Sequence, residues 1–360
     1  MNNHAEKVPT PLAMPQPSLS LVMPTIEWGH PFARCARAAL AGLGAQDEAL
    51  VVFDGQPLPA PNWLIQSRAR LLSTGRRSGP AAARNLAARE ARGKILLFVD
   101  ADVELHPEAI ERIRARFTAD PELAALFGSY DDTPAAAGVV SRFRNLLHHH
   151  THSSHPGPAT TFWAGLGAVR RDRFLAEGGF DAETYRQPCI EDIEFGLRLH
   201  DAGGRILLDP AIQGTHHKRW TLGLMVRTDI CQRAIPWSRL LLERRELPAS
   251  LNLTPSARLS AAGSLMLLAS APVALLWPGL RLGAVVLFCG GLALLLALNH
   301  SFHRLLLRRT GWLDASIGVF LHALYLAYAS VTFILVRLFE PFGRRRPSSV
   351  LRDGAVHRKT

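Results

Sequence analysis

Hydrophobic residues occur in short blocks along the first two thirds of the chain. Apolar runs at 19–25 and 95–99 end at Pro or Asp, which is typical of buried parallel strands. Ala-rich stretches with helical character lie between such runs, and one of them, 79–92, has Pro80 near its first turn. This alternation predicts an α/β domain with a mostly parallel sheet that helices cover on both faces. Further strands are predicted at 49–53 and 205–209, and further helices at 31–44, 107–118 and 191–202.

The pattern changes beyond residue 217. From Lys218 to Glu246 large apolar side chains alternate with arginines. This mixture is typical either of helices in a membrane interface or of a buried amphipathic helix. Longer apolar segments follow, each close to the ~20 residues that cross a bilayer, and we expect two or three membrane spans. These segments are 259–277, 282–299 and 315–337.

The chain is basic, with 41 Lys and Arg residues against 30 Asp and Glu residues and a formal net charge of +11. Such an excess suits nucleic acid, anionic lipid or phosphorylated substrates. No zinc finger, aromatic RNA-binding motif or basic zipper helix accompanies it, so we expect no nucleic-acid partner. Many arginines flank apolar stretches, which favours the membrane surface. Three spans would, however, place Arg344-Arg345-Arg346 opposite the α/β domain, against the preference of positive charge for the cytoplasmic side.

The N-terminal residues are polar and rich in proline, without the apolar segment of a signal peptide, so we expect a cytoplasmic α/β domain. The four cysteines form no CxxC motif, which favours reduced thiols over a disulfide framework or a zinc site. We therefore predict a multi-pass protein of the cell inner membrane. Its predicted parts are a disordered N-terminus (1–18), the α/β domain (19–217), amphipathic interfacial helices (218–256), transmembrane helices (257–340) and a basic tail (341–360).

The strongest candidate site is Asp100-Ala101-Asp102, which directly follows the apolar run 95–99. The last residues of such a strand lie at the carboxyl edge of a parallel sheet, where α/β folds bind ligands. Two carboxylates two residues apart can share a hard divalent cation, and the cation can bridge the phosphates of a nucleotide diphosphate. We interpret the motif as a metal site; the alternative is a solvated turn.

Other polar residues near the predicted strand ends suit a nucleotide. Asp54 ends the second strand and could accept hydrogen bonds from a base or ribose, although with Gly55 it could simply form a turn. Arg76, Arg77 and Arg84 precede or enter the following helix, where they could meet phosphate or form a solvated face.

These motifs have the order and spacing of family 2 glycosyltransferases with the GT-A fold, which the chain resembles over about 19–240. The pattern Gly-Pro-x-x-x-Arg-Asn at 79–85, before a strand that ends in Asp-x-Asp, is quite specific. The chain departs from the family after Pro24, where Thr25-Ile26-Glu27 replaces the x-Tyr-Asn that often follows. The other matching segments are Val22–Thr25, Asp54-Gly55, Val99–Asp102, Trp163–Gly165 with Arg170, Gly178–Asp181 and Glu191-Asp192.

The resemblance implies roles for individual residues. In that family the aspartate that matches Asp54 binds the nucleotide, and those that match Asp100 and Asp102 hold Mn²⁺ or Mg²⁺ against the diphosphate. The pair Glu191-Asp192 supplies the catalytic base, for which we choose Asp192. On the same resemblance we assign Pro24, Arg84 and Gly165 to nucleotide-sugar binding and Trp163 to the acceptor.

The chemistry of sugar transfer agrees with these roles. Negative charge develops on the leaving phosphate, where a metal held by Asp102 would neutralise it. A carboxylate on the opposite side of the sugar can deprotonate the attacking hydroxyl, and a single displacement of this kind inverts the anomeric centre. Because Asp192 begins a predicted helix, the alternative is that it only interacts with the helix dipole.

The segment His216–Trp220 resembles a degenerate form of the Gln-x-x-Arg-Trp motif of processive family members. His216 replaces the glutamine, which speaks against processive polymer synthesis. A histidine after the last strand can supply a metal ligand, as in some GT-A enzymes, and we choose His216 over His217; the alternative is a structural role. Trp220 could stack on an acceptor sugar or anchor at the membrane interface.

The histidine-rich stretch His148–His155 could bind a transition metal, but no spaced partner ligand accompanies it, and we expect a flexible loop over the acceptor site. We conclude that the sequence predicts an inverting, metal-dependent transfer of sugar from a nucleotide-diphosphate sugar to a lipid or lipid-linked glycan. The alternatives are a catalytically degenerate nucleotide-sugar-binding membrane regulator and a nucleotidyltransferase.

Overall fold

A computed structural model describes residues 16–244 and 254–339. Most of the predicted disordered N-terminus (1–15) and the whole predicted basic tail lie outside the described residues. The same holds for 245–253 of the predicted interfacial region.

A nine-stranded sheet forms the centre of the α/β domain, in the order β3-β2-β1-β4-β8-β6-β9-β5, with β7 paired to β9. Strands β1 to β4, β6 and β9 run in one direction, and β5, β7 and β8 run in the other. The sheet is therefore mixed but mostly parallel, as predicted. The strands are β1 (Leu19–Thr25), β2 (Glu48–Phe53), β3 (Ala69–Ser73), β4 (Ile95–Val99), β5 (Val103–Leu105), β6 (Leu123–Tyr130), β7 (Gly157–Ala159), β8 (Leu166–Arg170) and β9 (Arg205–His216).

Helices cover both faces of this sheet, which explains why β4 is apolar throughout. Leu21 of β1 packs in one cluster with Phe32 of α1, whereas its neighbour Val22 packs in another with Ala87 of α3. The helices are α1 (His30–Ala41), α2 (Asn62–Ile65), α3 (Pro80–Glu90), α4 (Ala109–Ala119), α5 (Val139–Ser153), α6 (Arg171–Ala176), α7 (Glu191–Asp201), α8 (Leu222–Arg227), α9 (Ile235–Glu243), α10 (Pro255–Leu276), α11 (Arg281–Leu298) and α12 (His300–Phe339), with a π-helical turn at Thr228–Ala234 and a 3₁₀ turn at Pro278–Leu280.

The prediction of a flexible loop at the histidine-rich stretch was wrong, because residues up to Ser153 belong to helix α5. Phe143, Leu146 and Leu147 are spaced three or four residues apart and are buried on one face of this helix. His152 is also buried, and one of its ring nitrogens, Nδ1, lies 2.9 Å from the carbonyl oxygen of Gly128. The histidines are therefore part of a packed helix.

Three helices, α10, α11 and α12, are long and apolar enough to cross a membrane by length and composition. Helix α12 is interrupted at Gly311, whose φ of 80° is left-handed. Residues 218–244 of the predicted interfacial region contain α8, the π-helical turn and α9.

We predict that Gly128→Ala destabilises the α/β domain. Strand β6 changes register against β9 around this residue, and a Cβ atom here would lie 2.2 Å from the carbonyl oxygen of Ile212. We expect the free energy of unfolding to fall by about 1–3 kcal/mol. Thermal unfolding of the detergent-solubilised protein would measure this.

The matched control is Gly223→Ala in helix α8, where no atom lies within 4 Å of an added Cβ. This change should leave stability unchanged or raise it by up to about 1 kcal/mol. Equal effects of the two substitutions would contradict the close approach of β6 and β9.

Candidate active site

The candidate site lies where several strands end along one side of the sheet. Asp54 follows β2, Asp100 follows β4, and His216 is the last residue of β9. Strands β2 and β4 flank β1 and run parallel, so their carboxyl ends meet at one edge. Pairing of β5 with β9 places His216 opposite Val103, next to Asp102. The topology therefore brings together residues that are far apart in sequence.

Asp102 and His216 face each other across this edge. Nε2 of His216 lies 3.6 Å from Oδ2 of Asp102. Burial alone would raise the pKa of Asp102, but the nearby His216 and Lys218 outweigh it and lower that pKa. The neighbouring His217 instead pairs with Glu104, with 2.7 Å between Nε2 and Oε2. Of the two histidines, His216 is thus the one beside the Asp100-Ala101-Asp102 turn.

Arg84 is buried beneath the site and binds two carboxylates. Its Nη1 donates to Oε1 of Glu191 at 2.9 Å, and its Nη2 donates to Oδ1 of Asp100 at 2.6 Å. Burial favours the neutral guanidine, but the charges of Asp100 and Glu191 outweigh it and raise the pKa of Arg84. The pKa of Asp100 is nevertheless raised, because burial and the charge of Asp102 outweigh its ion pair with Arg84. Arg84 thus connects the Asp100-Ala101-Asp102 turn to the Glu191-Asp192 pair. From the sequence we assigned Arg84 to nucleotide-sugar binding and did not predict this connection.

Asp192 lies in the first turn of α7, and its carboxylate binds backbone amides. Oδ2 accepts from the amide of Ala164 at 2.9 Å, and Oδ1 accepts from the amide of Ile193 at 2.8 Å. Burial, followed by the charge of Glu191, raises the pKa of Asp192 to about 7. A carboxyl group with this pKa can exchange a proton near neutral pH, which a general base requires.

The segment before β8 connects the two acidic motifs. The carbonyl oxygen of Gly165 accepts from the amide of Asp100 at 3.0 Å, and the preceding Ala164 binds Asp192. Gly165 is needed there because a Cβ atom would lie 2.4 Å from the ring of Trp163. The positions of the Asp100-Ala101-Asp102 turn and of Asp192 are therefore linked by a few covalent bonds and two hydrogen bonds.

Asp54 is buried and organises the turn before α3. Its carboxylate accepts from the amides of Ser78 at 2.8 Å and Gly79 at 3.0 Å and from the hydroxyl of Thr74 at 2.9 Å. Gly79 has a φ of 87°, and an added Cβ would lie 2.3 Å from the carbonyl oxygen of Arg186. Both interpretations of Asp54, as turn former and as nucleotide ligand, are compatible with this position, and its role in nucleotide binding stays a prediction.

The remaining predicted residues differ in exposure. Pro24 is half-buried in β1, whereas Arg76 and Arg77 are exposed beside the turn that Asp54 organises. Trp220 is 6% exposed and packs against Arg144 and Lys218. Its acceptor role stays a prediction that would require a movement of this side chain.

Sequence reasoning missed an aromatic stack behind His216. Tyr130 stacks on His216 with ring centroids 4.2 Å apart and an angle of 7° between the rings. His148 lies on the other side of Tyr130, at 4.1 Å, and also contacts Trp163 at 4.4 Å. The histidine-rich stretch was a visible signal, but nothing local in the sequence indicates that Tyr130 contacts it.

The donor atoms around Asp102 suit a divalent cation. Two carboxylates and an imidazole are ligands that Mn²⁺ accepts, and about a third of the Asp100 and Asp102 side chains is accessible. Within 16–244 and 254–339 no group of three His, Cys, Asp or Glu side chains is already arranged to hold a metal ion. The protein residues would thus supply part of a coordination shell, with Asp100 contributing the oxygen that Arg84 does not bind.

Residues 20–175 match the family model described as glycosyl transferase family 2. Over 154 residues the chain is 29% identical to the O-antigen biosynthesis protein RfbC of Myxococcus xanthus, a match that covers 38% of this chain and 12% of that protein. Over 207 residues it is 27% identical to an uncharacterized protein of Mycobacterium tuberculosis, covering 51% of this chain and 62% of the relative. The chain thus spans less than two thirds of either relative.

Among solved structures, the chain is similar to a mannosyltransferase of Pyrobaculum calidifontis in complex with GDP-Man and Mn²⁺. The TM-score is 0.53 at 16% identity, over 92% of this chain and 90% of that one. This likeness concerns the fold alone and confirms the predicted GT-A architecture. The long apolar helices that follow are seen in the structure itself.

We predict that Arg84→Met destabilises the protein by about 3–5 kcal/mol at neutral pH, because it leaves the buried carboxylate of Glu191 unpaired and also removes the partner of the partly exposed Asp100. The matched control is Arg89→Met on the same helix, where the side chain is exposed and the effect should stay within about 0.5 kcal/mol. Denaturant unfolding would measure both.

The deficit of Arg84→Met should shrink as the pH falls toward 4, since protonation removes the unpaired charges. A loss that is independent of pH, or equal in both variants, would contradict the role of Arg84 as the partner of two carboxylates.

Proposed function

We propose that the chain is a glycosyltransferase with a GT-A domain that moves a sugar from a nucleotide-diphosphate sugar to a lipid or lipid-linked glycan with inversion. The observation that carries the proposal is the connection between the two acidic motifs. Arg84 and the segment Ala164-Gly165 hold Asp100 and Asp192 in one site. Such a site can bind a diphosphate on one side of a sugar and activate a hydroxyl on the other.

On the donor side, we propose that Asp100, Asp102 and His216 bind Mn²⁺ or Mg²⁺. When bound, the cation would neutralise the charge that develops on the leaving diphosphate. The mannosyltransferase of similar fold was solved with GDP-Man and Mn²⁺, which supports a nucleotide-sugar donor and a divalent metal for this chain. We assign Pro24, Asp54 and Gly165 to the nucleotide-sugar pocket. Arg84 acts there through Asp100.

On the acceptor side, we propose that Asp192 is the base and that Glu191 positions it. Glu191 is neutralised by Arg84 and accepts from the amide of Cys189 at 2.9 Å, so its carboxylate is fully engaged. Asp192 has the raised pKa, and within the described part of the chain its carboxylate accepts hydrogen bonds only from backbone amides. It can therefore take the proton of the attacking hydroxyl, and a single displacement then inverts the anomeric centre.

The acceptor is proposed to be membrane-bound. Apolar helices of membrane-crossing length follow the GT-A domain and would keep the enzyme beside lipid-linked acceptors. The relative from Myxococcus xanthus is an O-antigen biosynthesis protein, which supports a lipid-linked glycan as the acceptor. We propose that transfer occurs at the cytoplasmic face of the inner membrane.

The first test uses Asp102→Ala, with Asp172→Ala as a surface control of the same charge change. Membranes that contain the full chain would be assayed for nucleoside diphosphate release with a panel of nucleotide-sugars, a lipid extract and Mn²⁺. We expect Asp102→Ala to lower Mn²⁺-dependent turnover by about 10²–10³-fold, since it removes a group that stabilises the transition-state charge. Asp172 is exposed, so its replacement should change little.

Full activity of Asp102→Ala would contradict the metal assignment. Release of inorganic diphosphate instead of nucleoside diphosphate would contradict sugar transfer and indicate a nucleotidyltransferase. Binding of a nucleotide-sugar by the wild type without turnover would indicate a regulator.

The second test is the pH dependence of transfer. A base must be deprotonated to act, and the pKa of Asp192 is raised to about 7. We therefore expect kcat/KM to rise about tenfold per pH unit below this pKa and to level off above it. Asp192→Asn should lower kcat by about 10²–10⁴-fold and abolish this rise. An unchanged profile in Asp192→Asn would contradict its role as the base.

A further inference from the structure

Helix α12 is folded into two arms at Gly311, where the left-handed φ of 80° breaks the helix. The first arm comprises residues 300–310 and the second comprises 312–339. Nε2 of His303 lies 3.2 Å from Nδ1 of His322, and a Cβ atom at Gly318 would lie 2.9 Å from Leu306. These contacts show that the first arm runs antiparallel along the beginning of the second.

Both arms pack against α5 of the α/β domain near this break. Phe302 and Leu306 of the first arm are buried in a cluster with Phe143 and Leu146 of α5. At the start of the second arm, Asp314 pairs with Arg142 of α5 at 3.0 Å. The end of the first arm is held by an ion pair of Arg309 with Asp132.

The second arm is attached a second time at Tyr328, through Asp229 of the region 218–244, which in turn binds Arg144 of α5. The hydroxyl of Tyr328 donates to Oδ2 of Asp229 at 2.6 Å, and Oδ1 of the same carboxylate accepts from Arg144 at 2.6 Å. Asp229 lies in the π-helical turn, whose exposed side chains include Arg233. The contact therefore joins α12 to a charged and solvent-accessible part of the protein.

The distance between these attachments limits how α12 can meet a membrane. Asp314 and Tyr328 are separated by about 21 Å along a helix with 1.5 Å per residue. If this part of the arm crossed the bilayer, Arg144, Asp229 and Arg233 would be carried deep into the hydrocarbon, which is strongly unfavourable. The remaining described residues, 329–339, reach only about 16 Å, against a hydrocarbon thickness of ~30 Å. Glu340 and Pro341 then end the apolar sequence.

Helices α10 and α11 differ from α12 in charge, because 255–276 has no charged side chain after Arg258 and 281–298 has none after Arg281. Large apolar side chains are exposed on both helices, for example Leu275, Leu282 and Val286. The two helices pack closely on each other, since a Cβ atom at Gly291 would lie 2.5 Å from the carbonyl oxygen of Gly263. Their lengths of about 33 and 27 Å suit a bilayer.

We propose that only α10 and α11 cross the membrane, as a helical hairpin, and that α12 lies between the α/β domain and the bilayer surface. The apolar outer side of α12, with Trp312 74% and Phe320 66% exposed, then rests in the boundary between lipid headgroups and acyl chains. The segment after Phe339 emerges on the side of the active site. Three spans would place Arg344-Arg345-Arg346 on the side opposite the α/β domain, against the preference of positive charge for the cytoplasmic side. With two spans these arginines lie on the same side as the α/β domain, in agreement with that preference.

Cysteine labelling in sealed membrane vesicles tests the proposal. Three variants of the full chain would each keep one cysteine, with the other native cysteines replaced by serine: native Cys231, which is exposed in the π-helical turn, Gly279→Cys in the turn between α10 and α11, and Ser348→Cys. Vesicles would be treated with a membrane-impermeant maleimide before and after permeabilisation. A cooperative thermal unfolding transition of each detergent-solubilised variant confirms that it is folded.

We expect Cys231 and Ser348→Cys to be labelled from the same side and Gly279→Cys only from the other. Labelling of Ser348→Cys together with Gly279→Cys would overturn the proposal in favour of three spans, and labelling of all three from one side would show that the hairpin does not cross. If the cysteine replacements prevent folding, a protease site and tag added after Thr360 of the native chain give the same readout for the C-terminal segment. None of these outcomes depends on the identity of the donor or acceptor.

Discussion

The candidate site depends on one buried cation, Arg84. Its guanidinium is enclosed by the α/β domain and donates to Glu191 and Asp100, which are far apart in the sequence. Without this positive charge the acidic residues would repel one another, and burial would favour their neutral forms. Because Arg84 lies in α3, directly after the turn that Asp54 organises, the position of that turn also sets the distance between the two acidic motifs. Arg84 thus positions both the proposed donor side and the proposed acceptor side of the site.

The parts of this arrangement that follow from local patterns could be predicted from sequence. Strand β4 was predicted residue for residue, because an uninterrupted apolar run that ends at an aspartate is a strong signal. The start of α7 at Glu191 was predicted for a similar reason, since acidic residues precede a periodic apolar pattern and two glycines follow it. Once the strand order of an α/β domain is assumed, Asp54, Asp100 and His216 are expected at the same edge.

The remainder depends on contacts between distant residues. Strand β6 was not predicted, because Leu-Ala-Ala-Leu also suits a helix and only its place between β8 and β9 makes it a strand. Helix α5 was mistaken for a loop, since its histidines look polar in sequence but pack on Tyr130 and Trp163 in the folded protein. The carboxylate partners of Arg84 were likewise not predicted. An arginine near an expected diphosphate is normally interpreted as a phosphate ligand, and the sequence gives no sign that Glu191 and Asp100 lie beside it. In each case burial by a remote segment decided the outcome.

Helix α5 connects the two regions of the chain. One part of it carries His148, which stacks behind Tyr130 and His216, and another part contacts α12 through Phe143 and Arg142. The apolar C-terminal helices are therefore packed onto an element that also contributes to the candidate site. The two attachments of α12, at Asp314 and Tyr328, hold it against the rest of the protein. In the proposed arrangement they would set the place of the α/β domain relative to the bilayer.

The stereochemistry of the product distinguishes a single displacement at the anomeric carbon from a retaining path. Proton NMR of the glycoside formed by the wild-type protein from an α-linked nucleotide-sugar would report its anomeric configuration at early times. A single displacement, with the diphosphate on one side of the sugar and Asp192 on the other, predicts a β-linked product. An α-linked product would contradict this arrangement, because retention requires a different path for the incoming hydroxyl.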